Sequence, residues 1–225
     1  MLGGSMIRYP FVRKSVVREE VTRAYHDSLS RIPELDDGYE ESGDTHYRIT
    51  APIRREYIRG LTKLACELGT KVIIKKCGHK EAPCECRQPL GLNHGFGLYE
   101  SASGLIIVDG HLPSGQLFNT IAHELTHHVL HHYEHRYNEC LPSFRNEIIC
   151  EIVSYVTTKI IGGNVNEESL FFIAGYIKDH GDIPRHDLLM ATTITYLMTN
   201  ETFKIVWKGR VRHQQKNTMG VHYHE

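Results

Sequence analysis

Apolar positions early in the chain recur at helical spacing: Val17, Val21, Ala24 and Leu29 predict a first helix over 14–30. The stretch PELDDGYEESGD (33–44) breaks that pattern with six acids, no base and three helix breakers, and reads as a solvated linker. A second helix is expected from Pro52, a residue suited to a first turn. It would bury Ile53, Tyr57, Leu61, Leu64 and Leu68 before Gly69 ends it. KVIIKK (71–76) reads as a short strand, and GFGLYES and GLIIVDG as two more, joined by a hairpin turning near 101–104. After Pro113 the pattern is helical over 114–133, about 144–161, 167–180 and 185–199. The closing KGRVRHQQKNTMGVHYHE is polar, basic and without period, and reads as a flexible tail.

Helices, a small sheet, then helices again imply an α+β fold. The expected divisions are an N-terminal helix and acidic linker (1–48), a main domain (49–200) and a basic tail (201–225). A length of 225 residues suffices to bury one sizeable core. With 26 basic against 27 acidic residues, nothing global points to nucleic acid or a membrane surface. No apolar run is long enough to span a bilayer, and MLGGSMIRYP lacks the basic start and apolar run of a signal peptide. Six cysteines in such a chain fit a reducing, cytoplasmic setting better than a disulfide framework.

The chemistry concentrates in TIAHELTHHVLHHYEHR (120–136), which holds six of the 16 histidines. Within it His123-Glu124-Leu125-Thr126-His127 is an HExxH. On a helix, residues four apart share a face, so both imidazoles can reach one ion, with Glu124 beside them as a general base toward a water. Ile121, Leu125 and Val129 recur every four and predict a core stripe. His128, His131, His132 and His135 fall outside the two-ligand pattern and are expected to be mostly solvated or to support the ligands.

Two histidines fill half of a tetrahedral shell, and a catalytic zinc site takes a third protein ligand and keeps one position open. In RNEIICEIVSYV, Glu147 and Glu151 lie four apart among Ile148, Ile149, Ile152 and Val153. Acids there are costly to bury unless paired or bound to a cation. Ordinary surface carboxylates are the alternative, and spacing alone leaves open which acid would complete the set.

HELTH followed by a glutamate-bearing helix resembles the gluzincin metallopeptidases, and Asn146-Glu147-x-x-x-Glu151 matches their downstream pattern. The resemblance implies Glu147 as the third ligand and Glu151 as the acid that orients a ligand histidine. Over 50–200 the chain also resembles the ImmA/IrrE-type peptidases and the C-terminal metallopeptidase domain of ArdC-type antirestriction proteins. It has Phe172-Ile173-Ala174-Gly175-Tyr176 where the latter carry a tryptophan motif, and their N-terminal single-strand DNA-binding domain is not recognisable. The resemblance implies a zincin-like fold with a small antiparallel or mixed sheet and a C-terminal helical subdomain. It also implies a zinc-dependent peptidase acting on a specific protein, of the regulatory kind tied to phages or mobile elements.

In that mechanism the strand Leu105 to Asp109 is the expected sheet edge for an extended substrate. Tyr155, eight residues beyond Glu147, is the first candidate to stabilise the oxyanion, and Tyr176 the second. A separate cluster, Cys77, His79, Cys84 and Cys86, can close a second, structural zinc, although its spacing departs from common zinc knuckles and free thiols fit it as well. Cys66 and Cys150 fall on apolar helix faces and read as core. The alternative to an enzyme is a zincin-fold binding module holding a structural metal, its tail contacting nucleic acid or protein. That tail offers Lys208, Arg210, Arg212 and Lys216 but only Trp207 for stacking, and the intact Glu124 argues for hydrolysis.

Overall fold

The structure, a computed structural model, describes residues 11–36, 52–76, 96–138, 140–163 and 168–220. Most of the acidic linker, the cluster Cys77, His79, Cys84 and Cys86, and residues 221–225 lie outside the described residues.

Helix α1 (Lys14–Leu29) buries Val17, Val21 and Ala24, and a short α2 (Ile32–Asp36) follows where the sequence suggested linker. Helix α3 (Arg55–Glu67) buries Ile58, Leu61 and Leu64, and Gly69 at φ 91° turns the chain out of it. That left-handed conformation suits glycine, which has no Cβ to clash. Strand β1 (Lys71–Lys75) follows, then β2 (Gly97–Glu100) and β3 (Leu105–Asp109), the last two joined by a hairpin. The hairpin closes where the Gly104 N–H donates to the Glu100 carbonyl, 2.9 Å away.

The sheet is mixed, in the order β1-β3-β2. β1 runs parallel to β3 (Lys71 opposite Leu105, Lys75 opposite Asp109), and β2 runs antiparallel to β3 (Gly97 opposite Val108, Glu100 opposite Leu105). β3 is therefore the central strand. Its backbone groups are engaged on both sides, so Leu105 to Asp109 cannot be the open edge that the sequence suggested. The edges are β1 and β2.

Helix α4 (Ser114–Tyr137) lies across β2 and β3 and packs most extensively on α5 (Ser143–Ile161). α5 is the central helix, with Ile149, Ile152, Val153 and Val156 fully buried against neighbours that include α6 (Glu168–His180) and α7 (Arg185–Gly220). Phe118, Ile121 and Leu125 of α4, Leu61 of α3, Ile106 of β3 and Met198 of α7 complete one contiguous core.

Helix α7 overturns the expected tail, because the chain stays helical to Gly220. Beyond residue 200, Thr202 is fully buried, and Phe203 meets Tyr57 of α3 edge-to-face at 5.7 Å between ring centroids. Gly60 lets α3 approach α7 there: a Cβ at that position would lie 2.9 Å from Val206 Cγ2. Packing, rather than local periodicity, keeps this segment helical. Cys66 also departs from expectation, being exposed, whereas Cys150 is buried. Among the described residues no helix is long and apolar enough to cross a membrane.

Candidate metal centre

The HExxH lies in the middle of α4, where the helical repeat turns His123 and His127 to one side. Their Nε2 atoms are 3.2 Å apart. Pro142 opens α5, which returns beside α4 and brings Glu147 to the pair. One Glu147 oxygen lies 3.4 Å from His123 Nε2 and the other 3.4 Å from His127 Nε2. Ligands held tetrahedrally about 2.0–2.1 Å from a zinc ion stand about 3.3–3.4 Å apart, so each of these pairwise approaches has the spacing of such a shell, with a different Glu147 oxygen facing each histidine.

Glu151, one turn on, faces the other side of His123, with Oε1 3.3 Å from Nδ1. With an ion bound, a proton on Nδ1 shared with Glu151 would leave the Nε2 lone pair for the metal, the tautomer a metal ligand requires. The Cys150 sulfur belongs to the same neighbourhood: it and one nitrogen of each histidine lie within 4.8 Å of one another. Cys150 is fully buried, and burial together with the charges of Glu147, Glu124 and Glu151 pushes its thiol well above the usual range.

Glu124 lies 8 % exposed against the edge strand. Burial raises its carboxyl above the ordinary value, opposed by His123, by His127 and by a hydrogen bond from the Tyr99 backbone N–H. Burial alone would lower His123, but Glu151, Glu147 and Glu124 outweigh it and hold the ring well above the usual histidine range. Burial would likewise raise Glu147, and the hydrogen bonds from His123 and His127 pull it well below the carboxylate range instead. Three carboxylates around two imidazoles form an anionic, half-buried pocket, and such charges are costly to desolvate without a cation.

β2 walls the other side of the cleft, which is lined by Gly97, Leu98, Tyr99, His123, Glu124, His127, His131 and Glu147 among others. The Asp109 N–H donates to the Phe96 carbonyl at 3.0 Å, so Phe96 faces β3 and antiparallel alternation turns the backbone of Gly97 and Tyr99 toward the outer edge. Gly97 is required by contact. A Cβ there would lie 2.6 Å from Thr120 Cγ2 and 2.8 Å from Glu124 Cγ.

His128 is not solvated. It is 3 % exposed, with Nε2 3.0 Å from the Leu68 carbonyl and Nδ1 3.2 Å from the Tyr99 hydroxyl. Tyr155 is 7 % exposed, carries the Lys159 ammonium 5.8 Å over its ring and is not among the cleft-lining residues. Eight residues turn a helix about 80° and advance it about 12 Å, which takes Tyr155 away from Glu147. Tyr176 of α6 is not among the cleft-lining residues either, but it feels the site's charge: burial raises its hydroxyl, and the charges of Glu147, Glu151 and Cys150 add to the effect.

Sequence reasoning overlooked Gly97 and Tyr99. A glycine inside a strand pattern marks close backbone approach, and that signal was present in GFGLYES. Glu134 was also overlooked. Its Oε1 accepts from the Leu141 N–H at 3.0 Å and from Asn146 Nδ2 at 3.1 Å, which ties the start of α5 to α4 beside Glu147. Comparison with protein-family models, curated proteins and solved structures finds no match to this chain.

Proposed function

We propose that the protein is a divalent-metal-dependent peptidase, with zinc as its metal, cleaving a peptide bond in a protein substrate. The observation that carries this reading is the mutual spacing of His123, His127 and Glu147, 3.2 to 3.4 Å, with Glu124 beside them. His123, His127 and Glu147 would hold the ion, and Glu151 would fix the His123 tautomer. A bound divalent cation supplies Lewis-acid activation of a water and of the scissile carbonyl. The finer fold reading, a zincin-like domain, rests on the same features: an HExxH helix packed on a sheet whose edge strand runs beside it.

The residues of the chain do the rest. Substrate adds to the outer edge of β2, where the backbone of Gly97 and the Tyr99 carbonyl offer strand-type hydrogen bonds, the Tyr99 N–H being taken by Glu124. Glu124, anchored by the Tyr99 N–H, accepts a proton from the attacking water and delivers it to the leaving nitrogen. Of the two candidate hydroxyls, Tyr176, which feels the charges of Glu147 and Glu151, is the one taken to stabilise the developing oxyanion. The resemblance to gluzincins supports these roles.

The test pairs metal analysis with cleavage of a proteome-derived peptide mixture followed by mass spectrometry. Wild-type protein is expected to carry one equivalent of zinc more than a His123→Ala/His127→Ala variant, and to lose cleavage on chelation and regain it with zinc. Equal metal content in the two proteins contradicts the site. A metal difference without any cleavage favours the binding-module alternative.

A further inference from the structure

His131 and His135 repeat, further along α4, the arrangement of His123 and His127. Their Nε2 atoms are 3.0 Å apart and their rings meet edge-to-face with centroids 4.5 Å apart. The corresponding values for the first pair are 3.2 Å and 4.9 Å. The tautomer of the neutral His131 ring is set by its neighbours. His128 Nε2 lies against the Leu68 carbonyl, which only accepts, so in the neutral ring Nε2 carries the proton and Nδ1 is an acceptor. The Tyr99 hydroxyl therefore donates to His128 Nδ1, and with its single proton spent it accepts from His131 Nδ1, 3.2 Å away. This leaves His131 with a lone pair on Nε2, facing His135. A histidine whose far nitrogen donates to a fixed partner while the near one stays free is prepared as a metal ligand.

We propose that His131 and His135 form a second divalent-cation site, weaker than and separate from the first. Eight residues along a helix amount to about 12 Å of rise and about 80° of rotation, whereas paired catalytic metals stand about 3.5–4 Å apart. The second ion is therefore not a co-catalyst sharing one water. Imidazole donors favour Zn2+, Cu2+ or Ni2+ over Mg2+ or Ca2+. Two protein donors leave the remaining positions to water, and His135 is exposed, which makes the site reversible at the mouth of the cleft that His131 lines. The proposal stands independently of the peptidase reading.

Metal-free full-length protein titrated calorimetrically with Zn2+ alone tests it, with circular dichroism confirming that each variant keeps its helix content. Wild type is expected to show one weaker equivalent that is missing from His131→Ala and from His135→Ala alike, while the tighter equivalent remains. His123→Ala/His127→Ala should lose the tighter equivalent and keep the weaker one. Tyr99→Phe, which removes the group that fixes the His131 tautomer, should weaken the second site by about 10- to 100-fold. A wild-type isotherm from His131→Ala/His135→Ala, or a loss confined to only one of the single variants, would overturn the proposal and mark the contact as an ordinary histidine–histidine hydrogen bond. An unchanged tight equivalent in His123→Ala/His127→Ala would instead count against the first site alone.

Discussion

Glu124 and Gly97 depend on each other. The carboxylate reaches the Tyr99 N–H only because the strand lies directly on α4, and it lies there only because residue 97 has no side chain. Gly97→Ala would place a methyl 2.6 Å from Thr120 Cγ2 and 2.8 Å from Glu124 Cγ, so β2 or Glu124 must move. Overpacking of this kind costs about 1–3 kcal/mol, and displacing a catalytic group by about 1 Å can cost about a hundredfold in rate. Gly97→Ala is accordingly expected to keep its metal, melt somewhat earlier and turn over about a hundredfold more slowly. Wild-type turnover in this variant would remove β2 from the mechanism. The HExxH was legible because its chemistry is local, one turn of one helix. The roles proposed for Gly97 and Tyr99 were not, because each reaches the site through tertiary packing that no spacing along the chain records.

The helices before α7 show why boundaries were readable where a breaker or cap punctuates them, as at Gly69, Pro113, Pro142 and Gly162, and not where packing continues a polar-looking segment. The buried face of α7 mixes Ala191, Ile194 and Met198 with Thr192, Thr195, Thr199 and Thr202, the threonines spaced three, four and three residues apart and none more than 3 % exposed. A hydrophobicity pattern counts these threonines as polar, so the stripe fades and the helix seems to stop near residue 199. The Thr192 hydroxyl is satisfied by the Leu188 carbonyl at 2.7 Å. The Thr199 hydroxyl is buried and finds no hydrogen-bond partner among the described residues. Thr199→Val keeps the shape, has similar helix propensity and removes that unpaired group. It is expected to stabilise the protein by about 1 kcal/mol in urea unfolding. A loss of similar size would show that the hydroxyl has a partner in solution, such as an ordered water.

Across the whole molecule, α7 closes the fold by crossing α1, α5 and α3, and its far end is tied down by Arg210 on Glu56 at the start of α3. The hydrogen bond from Arg210 holds the Glu56 carboxyl below its usual value, against a smaller opposing effect of burial. A carboxylate depressed in this way contributes its stability in full above the ordinary glutamate pKa and loses it as the pH falls through the depressed value. Both side chains are partly exposed, so the contribution is about 0.2–1 kcal/mol and screened by salt. Arg210→Ala should therefore be slightly less stable than wild type at neutral pH, and the difference should shrink toward zero on acidification. A difference that grows instead would mean that the guanidinium acts through packing. The α+β class and the small sheet could be read from the order of the elements, but which strand is the edge could not, because strand order is set by tertiary pairing, with β1 and β2 both on β3, rather than by any segment's own pattern. That order places β2 beside Glu124, and the central claim is that Glu124 does the proton transfer. The measurement that tests it most directly compares Glu124→Gln with wild type on the same peptide mixture, at matched metal content. Metal content is expected to stay unchanged and turnover to fall by about two to four orders of magnitude. Cleavage by Glu124→Gln at the wild-type rate would contradict the claim.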